Sequence, residues 1–208
     1  IRALPDDAPG KRRYAAFLRG PEPRDDRAFL GLIARELYLV TSAAFKEHDP
    51  QRLIFGERYK LGDHPPEVLA EAVKVVDVIS IQPGPEVGPL AGPGREESEF
   101  DAARFDVLQA LTGKPILICD HQVSFHDPGQ PVTLWHQFPT EAEAADAYEA
   151  FVTAAFARPY IIGYFRCQYW NQWMPAPPSL LKQGLRQSDG QPYAKMIRRV
   201  ANTNGRVM

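Results

Sequence analysis

Four short apolar segments, each followed by a helix-like segment, constrain the fold more than any other feature of this sequence. They predict strands at 52–57, 77–82, 114–120 and 160–166. Apolar residues three and four positions apart, together with Pro and Gly at the segment ends, predict helices, which lie at 6–19, 26–47, 65–75, 100–111, 140–158 and 193–201. Strands that alternate with helices favour a parallel sheet covered by helices.

Two architectures fit this alternation. Four strand–helix units are half of a (β/α)8 TIM barrel, which typically needs about 250 residues. A self-contained doubly wound sheet is the other option. However, no Gly-x-Gly-x-x-Gly and no Gly-x-x-x-x-Gly-Lys-Ser/Thr motif follows any predicted strand. We therefore expect an α/β fold that corresponds to a portion of a TIM barrel.

Charge, hydropathy and cysteine content exclude several classes of protein. The chain has 24 Lys and Arg against 26 Asp and Glu, a net charge of −2, whereas nucleic-acid-binding modules are usually strongly basic. No uninterrupted apolar run approaches about 18 residues, so we predict no membrane span. Two cysteines do not form a disulfide framework. We therefore expect neither a nucleic acid nor a membrane as partner.

Large polar residues stand at the ends of all four predicted strands. In a TIM barrel the functional groups lie at the carboxyl ends of the strands. The residues in question are Glu57 and Arg58, Gln82, Asp120 and His121, and Arg166 with Gln168. Because four such ends converge in a barrel, they predict a polar pocket.

Asp120 is the strongest candidate for chemistry. It follows the most apolar predicted strand, where its carboxylate would face the barrel mouth, and the preceding Cys119 would point toward the helices. A carboxylate there can act as nucleophile or base in glycoside cleavage. The structural alternative is an ion pair between Asp120 and Arg58 or Arg166.

Aromatic side chains crowd the last two strand-to-helix regions. Exposed Trp and Tyr faces suit the apolar faces of sugar rings, whereas the alternative is packing in the core or in a lid over the barrel end. The six side chains are Trp135, Tyr164, Phe165, Tyr169, Trp170 and Trp173.

Metal binding is the less favoured interpretation of the residues after the third strand. Asp120, His121, His126 and Asp127 lie within eight residues of one another. The His residues lack the i, i+4 spacing of zinc proteases, and no Cys pair has zinc-finger spacing. We expect no metal and no cofactor, and we expect His121 to hydrogen-bond to a substrate or to Asp120.

Several strings resemble clan A glycoside hydrolases, in particular agarase-like and β-galactosidase-like members. The string HDPQRLIFGERY at 48–59 resembles the entry to their fifth barrel strand. Their sixth, seventh and eighth strands are similar to 76–81, 113–118 and 158–163 with Gln168 and Tyr169. The resemblance covers roughly residues 26–205.

The resemblance implies that residues 1–208 are the C-terminal part of a TIM-barrel catalytic domain, strands five to eight. Residues 1–25 would then be an excursion or loop before the fourth barrel helix. The implied activity is hydrolysis of a polysaccharide or β-linked oligosaccharide by a carboxylate pair. Asp120 occupies the nucleophile position, where the family has Glu. The family's acid/base is a Glu after Asn at the end of strand four. No Asn-Glu pair occurs in this sequence, so we expect that Glu upstream of Ile1, with Glu57 as the alternative second carboxylate.

The resemblance also implies how a carbohydrate substrate is held. Sugar hydroxyls would bind Arg58, Gln82, His121, Arg166 and Gln168, and sugar rings would stack on Tyr164, Tyr169 and Trp170. Enzymes of this clan that attack polymers are usually exported, which favours a secreted or periplasmic location. Two other readings stay open. Asp in place of Glu suits a non-catalytic, carbohydrate-binding pseudoenzyme barrel, and the strand–helix pattern also fits a standalone α/β binding domain.

Overall fold

The computed structural model describes residues 1–21, 24–83, 99–121, 123–131, 133, 137–172 and 182–207. The chain divides into two compact units. The first unit comprises Ile1–Gly56 and His64–Asp77, and the second comprises Glu57–Asp63 and Val78–Met208.

The first unit is helical. Its helices are α1 (Pro9–Leu18), α2 (Asp26–His48) and α3 (Pro66–Ala72). The Asp25 carboxylate caps α2 by accepting a hydrogen bond from the Ala28 amide. Tyr14 of α1 packs edge-on against Phe29 of α2, with ring centroids 4.9 Å apart. Aromatic burial of this kind joins the two helices.

Helix α2 is long and apolar enough to cross a membrane when judged by length and composition alone, with a mean hydropathy of 1.4 over 18 residues. Core helices and signal sequences meet the same criterion, so the helix by itself does not identify a membrane protein. In this unit α2 packs against α3, and ion pairs join Arg27 to Glu67 and Arg13 to Glu36.

The second unit contains the strands and three further helices. The described strands are β1 (Arg58–Lys60), β2 (Ile79–Gln82), β3 (Ile116–His121), β4 (Ser124–Phe125), β5 (Gln137–Phe138) and β6 (Ile161–Arg166). The helices are α4 (Ala102–Thr112), α5 (Glu141–Phe156) and α6 (Ala194–Val207). Four strands form one sheet in the order β1-β2-β3-β6, and every neighbouring pair in it is parallel. The fold is therefore α/β with a parallel sheet whose strands keep their chain order.

The predicted strand at 52–57 is wrong. The backbone there is irregular, and β1 begins only at Arg58. Gly56 adopts a left-handed conformation, with φ of 68°. The Ile54 amide donates to the Asp77 carboxylate at 2.8 Å, and the Asp77 amide donates to the Ile54 carbonyl at 2.8 Å. These bonds occupy the Ile54 backbone outside any sheet ladder, and the left-handed glycine interrupts an extended path.

Two other segments differ from the sequence prediction. The region 121–139, expected as a loop, contains β4 and β5, which pair in parallel as a separate two-stranded sheet. Helix α6 continues to Val207 rather than ending at Ala201. Strands of two residues carry too little periodicity to be recognised from sequence.

The pairing register defines two faces of the main sheet. Residues paired across parallel strands share a face, and successive residues alternate between faces. His121 and Tyr164 contact Phe151 of α5, which identifies the α5 face. Leu117 pairs with Gly163 and with Ser80, and Ser80 pairs with Arg58.

The opposite face, which we call the polar face, carries Arg58, Lys60, Ser80, Gln82, Leu117, Cys119, Gly163 and Phe165. Cys119 was expected to point toward the helices, and that prediction is wrong because Cys119 pairs with Phe165 on the polar face.

Leu117 and Gly163 pack closely on the polar face. A Cβ atom added at Gly163 would lie 2.6 Å from the Leu117 Cδ1 atom. Glycine is therefore the residue that allows β6 to approach β3 with Leu117 in place.

Candidate functional site

Asp120 lies at a kink near the carboxyl end of β3. The register between β3 and β6 shifts between Cys119 and His121, so that one extra residue, Asp120, stands on β3. Its φ of 58° is left-handed. Asp adopts this conformation more readily than most residues, and a bulge re-aims the side chain of the extra residue.

The Asp120 carboxylate forms an ion pair with Arg58. The Arg58 Nη1 atom donates to the Asp120 Oδ2 atom at 2.5 Å, and the link runs from β1 past β2 to β3. The Asp120 side chain is 17% exposed and that of Arg58 is 57% exposed. The structure thus brings together two predicted site residues that are 62 positions apart in sequence, in the arrangement given as the structural alternative.

Two free thiols lie beside this ion pair. Burial raises the pKa of Cys119 to about 11 and that of Cys167 to about 11. For Cys167, a hydrogen bond to Asp120 and the negative charge of Asp120 raise the pKa further, whereas Gln183 and Arg58 lower it. Both thiols are protonated at neutral pH, so neither is an activated nucleophile.

Gln82 lies on the polar face at the end of β2, between β1 and β3. It is the last residue of β2 and is buried, as is Ser80 two residues earlier. Gln82 pairs with Lys60, and its backbone carbonyl accepts a hydrogen bond from the Leu61 amide at 2.9 Å. The predicted binding residues Arg58 and Gln82 therefore lie on one face.

His121, Tyr164 and Arg166 point to the α5 face, which corrects the orientation expected from the strand-end argument. The buried His121 ring stacks on Phe151 with centroids 3.8 Å apart, and its Nδ1 atom lies 2.6 Å from the Tyr164 hydroxyl. The Arg166 guanidinium lies over the Tyr148 ring at 5.6 Å. The extra residue Asp120 places His121 on the face opposite Cys119, whereas Tyr164 and Arg166 lie on that same α5 face through their pairing with Ile118 and His121.

The segment after β6 keeps two predicted aromatic residues at the surface. Gln168 is left-handed, with φ of 63°. Tyr169 is 53% exposed and Trp170 is 50% exposed. Arg186 contacts both rings, at 5.7 and 6.0 Å from their centroids. These exposed rings fit the predicted stacking role, whereas Trp135 and Trp173 lie outside the described residues.

A buried polar network that sequence reasoning missed supports this segment. The Asn171 side chain accepts from the Gly184 amide at 2.8 Å and donates to the Tyr193 hydroxyl at 2.9 Å. The Tyr193 hydroxyl in turn donates to the Asp127 carboxylate. Lys182, also buried, donates to the Gln130 carbonyl and to the Gln137 side chain at 2.6 and 2.5 Å. No spacing in the sequence signals these pairings, because they join separate loops.

The remaining predicted groups lie apart from one another. Glu57 precedes β1 and is exposed, so it stands at the start of that strand rather than at its end. Asp127 bonds to Tyr193, whereas His121 is stacked in the core. Within the described part of the chain, no group of three or more His, Cys, Asp or Glu side chains could hold a metal ion.

Comparisons with solved structures identify the fold. An exo-β-agarase matches with a TM-score of 0.72 and 20% identity over 87% of this chain and 23% of its own. Another agarase matches with a TM-score of 0.76 and 19% identity over 99% of this chain and 31% of its own. A β-glucuronidase of Bifidobacterium dentium matches at 0.59 and 19% identity over 89% of this chain and 29% of its own.

The fold of this chain is therefore similar to that of these glycoside hydrolases. The chain spans only about a quarter to a third of the length of these two agarases. No protein-family model matches the sequence, and no curated protein matches it. The likeness of this chain to glycoside hydrolases is therefore a likeness of structure and not of sequence.

Proposed function

We propose that this chain is the strand-five-to-eight portion of the TIM barrel of a glycoside hydrolase. The four parallel strands in chain order support this, because consecutive barrel strands are neighbours in the sheet. In this numbering β1, β2, β3 and β6 are barrel strands five, six, seven and eight. The polar face is then the inner face of the barrel.

One observation carries the proposed chemistry: the Asp120 carboxylate reaches Arg58 at the carboxyl end of the polar face. We propose Asp120 as the nucleophile, or as the base that positions a water, in cleavage of a polysaccharide or β-linked oligosaccharide. The Arg58 guanidinium orients the carboxylate through this hydrogen bond. Arg58 and Gln82 would bind sugar hydroxyls.

Glycoside cleavage needs a second carboxyl group to protonate the leaving oxygen. Retaining enzymes place the two carboxyl groups about 5–5.5 Å apart and inverting enzymes about 6.5–9.5 Å apart. The resemblance assigns the role to a Glu upstream of Ile1. Glu57, the alternative from the sequence, suits the role less well, because it stands at the start of β1 rather than at its end. Tyr169 and Trp170 would stack on sugar rings beside the site.

A specific observation also favours a second function, that of a carbohydrate-binding pseudoenzyme. The Arg58–Asp120 ion pair occupies one carboxylate oxygen at 2.5 Å. In addition, Asp is one methylene shorter than the Glu of the family, and a displacement of about 1 Å can cost roughly 10²-fold in rate. In this second reading the pocket binds glycans without cleaving them.

Hydrolysis and binding assays separate the two functions. The full-length protein is incubated with agarose, other galactans and xylan, and reducing ends are counted. We expect Asp120→Asn to lower turnover by at least about 10²-fold with binding retained, the scale of a positioned base. The matched control Asp106→Asn removes a carboxylate that pairs with Arg158 and should leave turnover unchanged. Unchanged turnover in Asp120→Asn refutes the catalytic role, and glycan binding without any turnover by the wild type supports the pseudoenzyme.

A further inference from the structure

We infer that Tyr169, Trp170 and Arg186 form a subsite for a sugar ring that carries an anionic substituent, either a sulfate or a carboxylate. We call these three residues the cationic platform. The inference rests on the proposed function and deepens it, because it names the charge class of the carbohydrate. Binding measurements test it without any turnover.

Backbone hydrogen bonds hold the residues of the cationic platform next to one another. Trp170 and Arg186 form an isolated parallel bridge. The Asn171 amide donates to the Arg186 carbonyl at 2.8 Å, and the Arg186 amide donates to the Tyr169 carbonyl at 3.1 Å. These bonds fix two chain segments side by side just after the carboxyl end of β6.

The Arg186 guanidinium is oriented by two hydrogen bonds of its own. Its Nε atom donates to the Tyr169 hydroxyl at 3.1 Å, and its Nη1 atom donates to the Gly190 carbonyl at 2.8 Å. Gly190 also lies against Trp170, since a Cβ atom added at Gly190 would be 3.1 Å from the Trp170 Cζ3 atom. These contacts restrain the side chains before a ligand arrives, which lowers the entropic cost of binding.

Arg186 keeps hydrogen-bond donors for an anion. A guanidinium has five N–H groups, and in the part of the chain that the structure describes the Nη2 atom of Arg186 has no acceptor. No carboxylate in that part pairs with Arg186. The nearest acidic residue in sequence, Asp189, accepts from the Gln191 amide at 2.9 Å. A charged planar fork without a carboxylate partner suits the oxygens of a sulfate or a carboxylate.

The sequence around the cationic platform is locally basic, although the chain as a whole is not. Residues 150–188 contain no Asp or Glu, and their basic residues are Arg158, Arg166, Lys182 and Arg186. The whole chain has a net charge of −2. A local excess of positive charge attracts anionic ligands to this segment, whereas the net charge of the chain does not attract them in general.

The two aromatic rings supply the apolar surface that a sugar ring stacks on. Tyr169 and Trp170 are both exposed, and their rings meet at 62° with centroids 6.2 Å apart. The guanidinium carbon of Arg186 lies 5.7 Å from the Tyr169 centroid and 6.0 Å from the Trp170 centroid. A sugar stacked on either ring therefore has the guanidinium beside its edge, so the cationic platform favours sugars with an anionic substituent there.

Calorimetric titration with matched tetrasaccharides tests the subsite. The full-length protein is titrated with a neutral galactan tetrasaccharide, its sulfated counterpart and a tetragalacturonate, in the Asp120→Asn background if the wild type cleaves any of them. We expect at least one anionic ligand to bind about tenfold or more tightly than the neutral one, and the tighter of the two identifies the substituent. Raising NaCl from about 50 to about 500 mM should reduce this preference at least threefold, because salt screens an exposed charge. Equal affinities for the three ligands, or no binding of any, overturn the inference.

Variants assign the preference to the residues of the cationic platform. Arg186→Gln removes the charge and should reduce the preference to less than about twofold, whereas Arg186→Lys keeps the charge and should retain a preference of about threefold or more. Trp170→Ala should weaken the binding of all three ligands about five- to tenfold, because it removes stacking surface and not charge. The matched control Arg206→Gln removes an exposed arginine that pairs with Glu149 and should leave every affinity unchanged.

Two results with these variants contradict the inference. A preference that persists in Arg186→Gln removes Arg186 from the subsite, and unchanged affinities in Trp170→Ala remove the aromatic surface. If Arg186→Gln does not fold, the salt dependence of the wild type decides, and a preference that does not change with salt overturns the inference.

The outcomes for this subsite and for the proposed function are distinguishable. An Arg186-dependent preference in a protein that cleaves no glycan supports the subsite, while the proposed hydrolysis fails. Hydrolysis of a neutral galactan without any preference for anionic ligands supports the proposed hydrolysis and overturns the subsite.

Discussion

The contact between Leu117 and Gly163 gives a sharp test of the faces assigned to β3 and β6. In Gly163→Ala the new Cβ would lie 2.6 Å from the Leu117 Cδ1 atom, well inside van der Waals contact. Leu117 is buried, so its side chain can yield only by leaving its rotamer or by shifting the strand. Overpacking of this kind costs about 1–3 kcal/mol, and the lower chain entropy of Ala than Gly returns about 0.5–1 kcal/mol.

We therefore expect Gly163→Ala to lower stability by up to about 2.5 kcal/mol, or by up to roughly 10 °C in Tm for a chain of this size. Leu117→Ala alone should cost about 2–5 kcal/mol through the cavity it leaves. In the Leu117→Ala background, Gly163→Ala should be neutral or stabilising, because the clashing atom is absent. The double-mutant cycle thus predicts a coupling of about 1–3 kcal/mol.

Urea and thermal unfolding of the four proteins measure this coupling. The matched control is Gly31→Ala in the middle of α2, where a Cβ would meet its nearest neighbour, the Glu67 Cβ atom, at an ordinary 3.6 Å. That change should stabilise the helix by about 0.5–1 kcal/mol. The result that would refute this reasoning is an equal effect of Gly163→Ala on the free energy of unfolding in the wild-type and Leu117→Ala backgrounds. Leu117 and Gly163 would then not share a face, and the polar face would be wrongly assigned.

Three further changes test packing and charge in the second unit. Thr140 caps α5 by accepting from the Glu143 amide at 3.2 Å, so Thr140→Ala should lower the free energy of unfolding in urea by about 1 kcal/mol. The control Thr153→Ala, at an exposed position of the same helix, should not lower it. Equal costs for the two variants would show that the cap does not stabilise α5. Arg199 and Arg206 lower the pKa of Glu149 below its ordinary 4.5. The stabilising effect of Glu149 is therefore present above pH 4.5 and is lost as the pH falls through its lower pKa in the folded protein. Glu149→Gln should make stability fall less steeply with decreasing pH in the acid range, and an unaltered pH dependence would contradict this. Tyr193→Phe removes the hydroxyl that accepts from the buried Asn171 and donates to the half-buried Asp127. It should lower Tm by an amount corresponding to about 1–3 kcal/mol, whereas the exposed Tyr169→Phe should change Tm little. Similar shifts for both variants would refute the importance of this network.

The helices and three of the four main strands could be predicted from periodicity, because each long segment carries a consistent apolar pattern. The position of the remaining strand of the main sheet, β1, could not be predicted. It is only three residues long and follows the left-handed Gly56, so the apolar residues before it, such as Ile54, are held by Asp77 instead. Apolar content marked the right region but not the paired residues.

The directions of the side chains failed for a different physical reason. A prediction from strict alternation assumes an unbroken ladder, and the register between β3 and β6 shifts twice, at Ile116–Leu117 and at Cys119–His121. The shift at Cys119–His121 inserts Asp120 on β3 and exchanges the face of the residue beyond it. This is why His121 packs on α5 although it lies only two positions after Cys119, which is on the polar face.

The sequence could predict Asp120 as the central residue of the candidate site, but it could not predict the hydrogen bonds that hold the surrounding loops. Asp120 followed from its place near the end of β3, and its ion pair with Arg58 was the structural alternative; Arg58 was placed at the end of a strand at 52–57 that does not form, and it is instead the first residue of β1. The Asn171–Tyr193–Asp127 chain of hydrogen bonds could not be predicted, because its contacts depend on how the loops after β3 and β6 meet.

The measurement that tests the central claim most directly is chemical rescue at Asp120. With a glycoside that the full-length wild type hydrolyses, Asp120→Gly should lose nearly all turnover, since it removes the carboxylate that we propose as the nucleophile or the base. Added azide fits the vacated space and should restore turnover while forming a glycosyl azide. Turnover by Asp120→Gly equal to that of the wild type, without azide, would contradict the assignment of Asp120 as the reacting carboxylate.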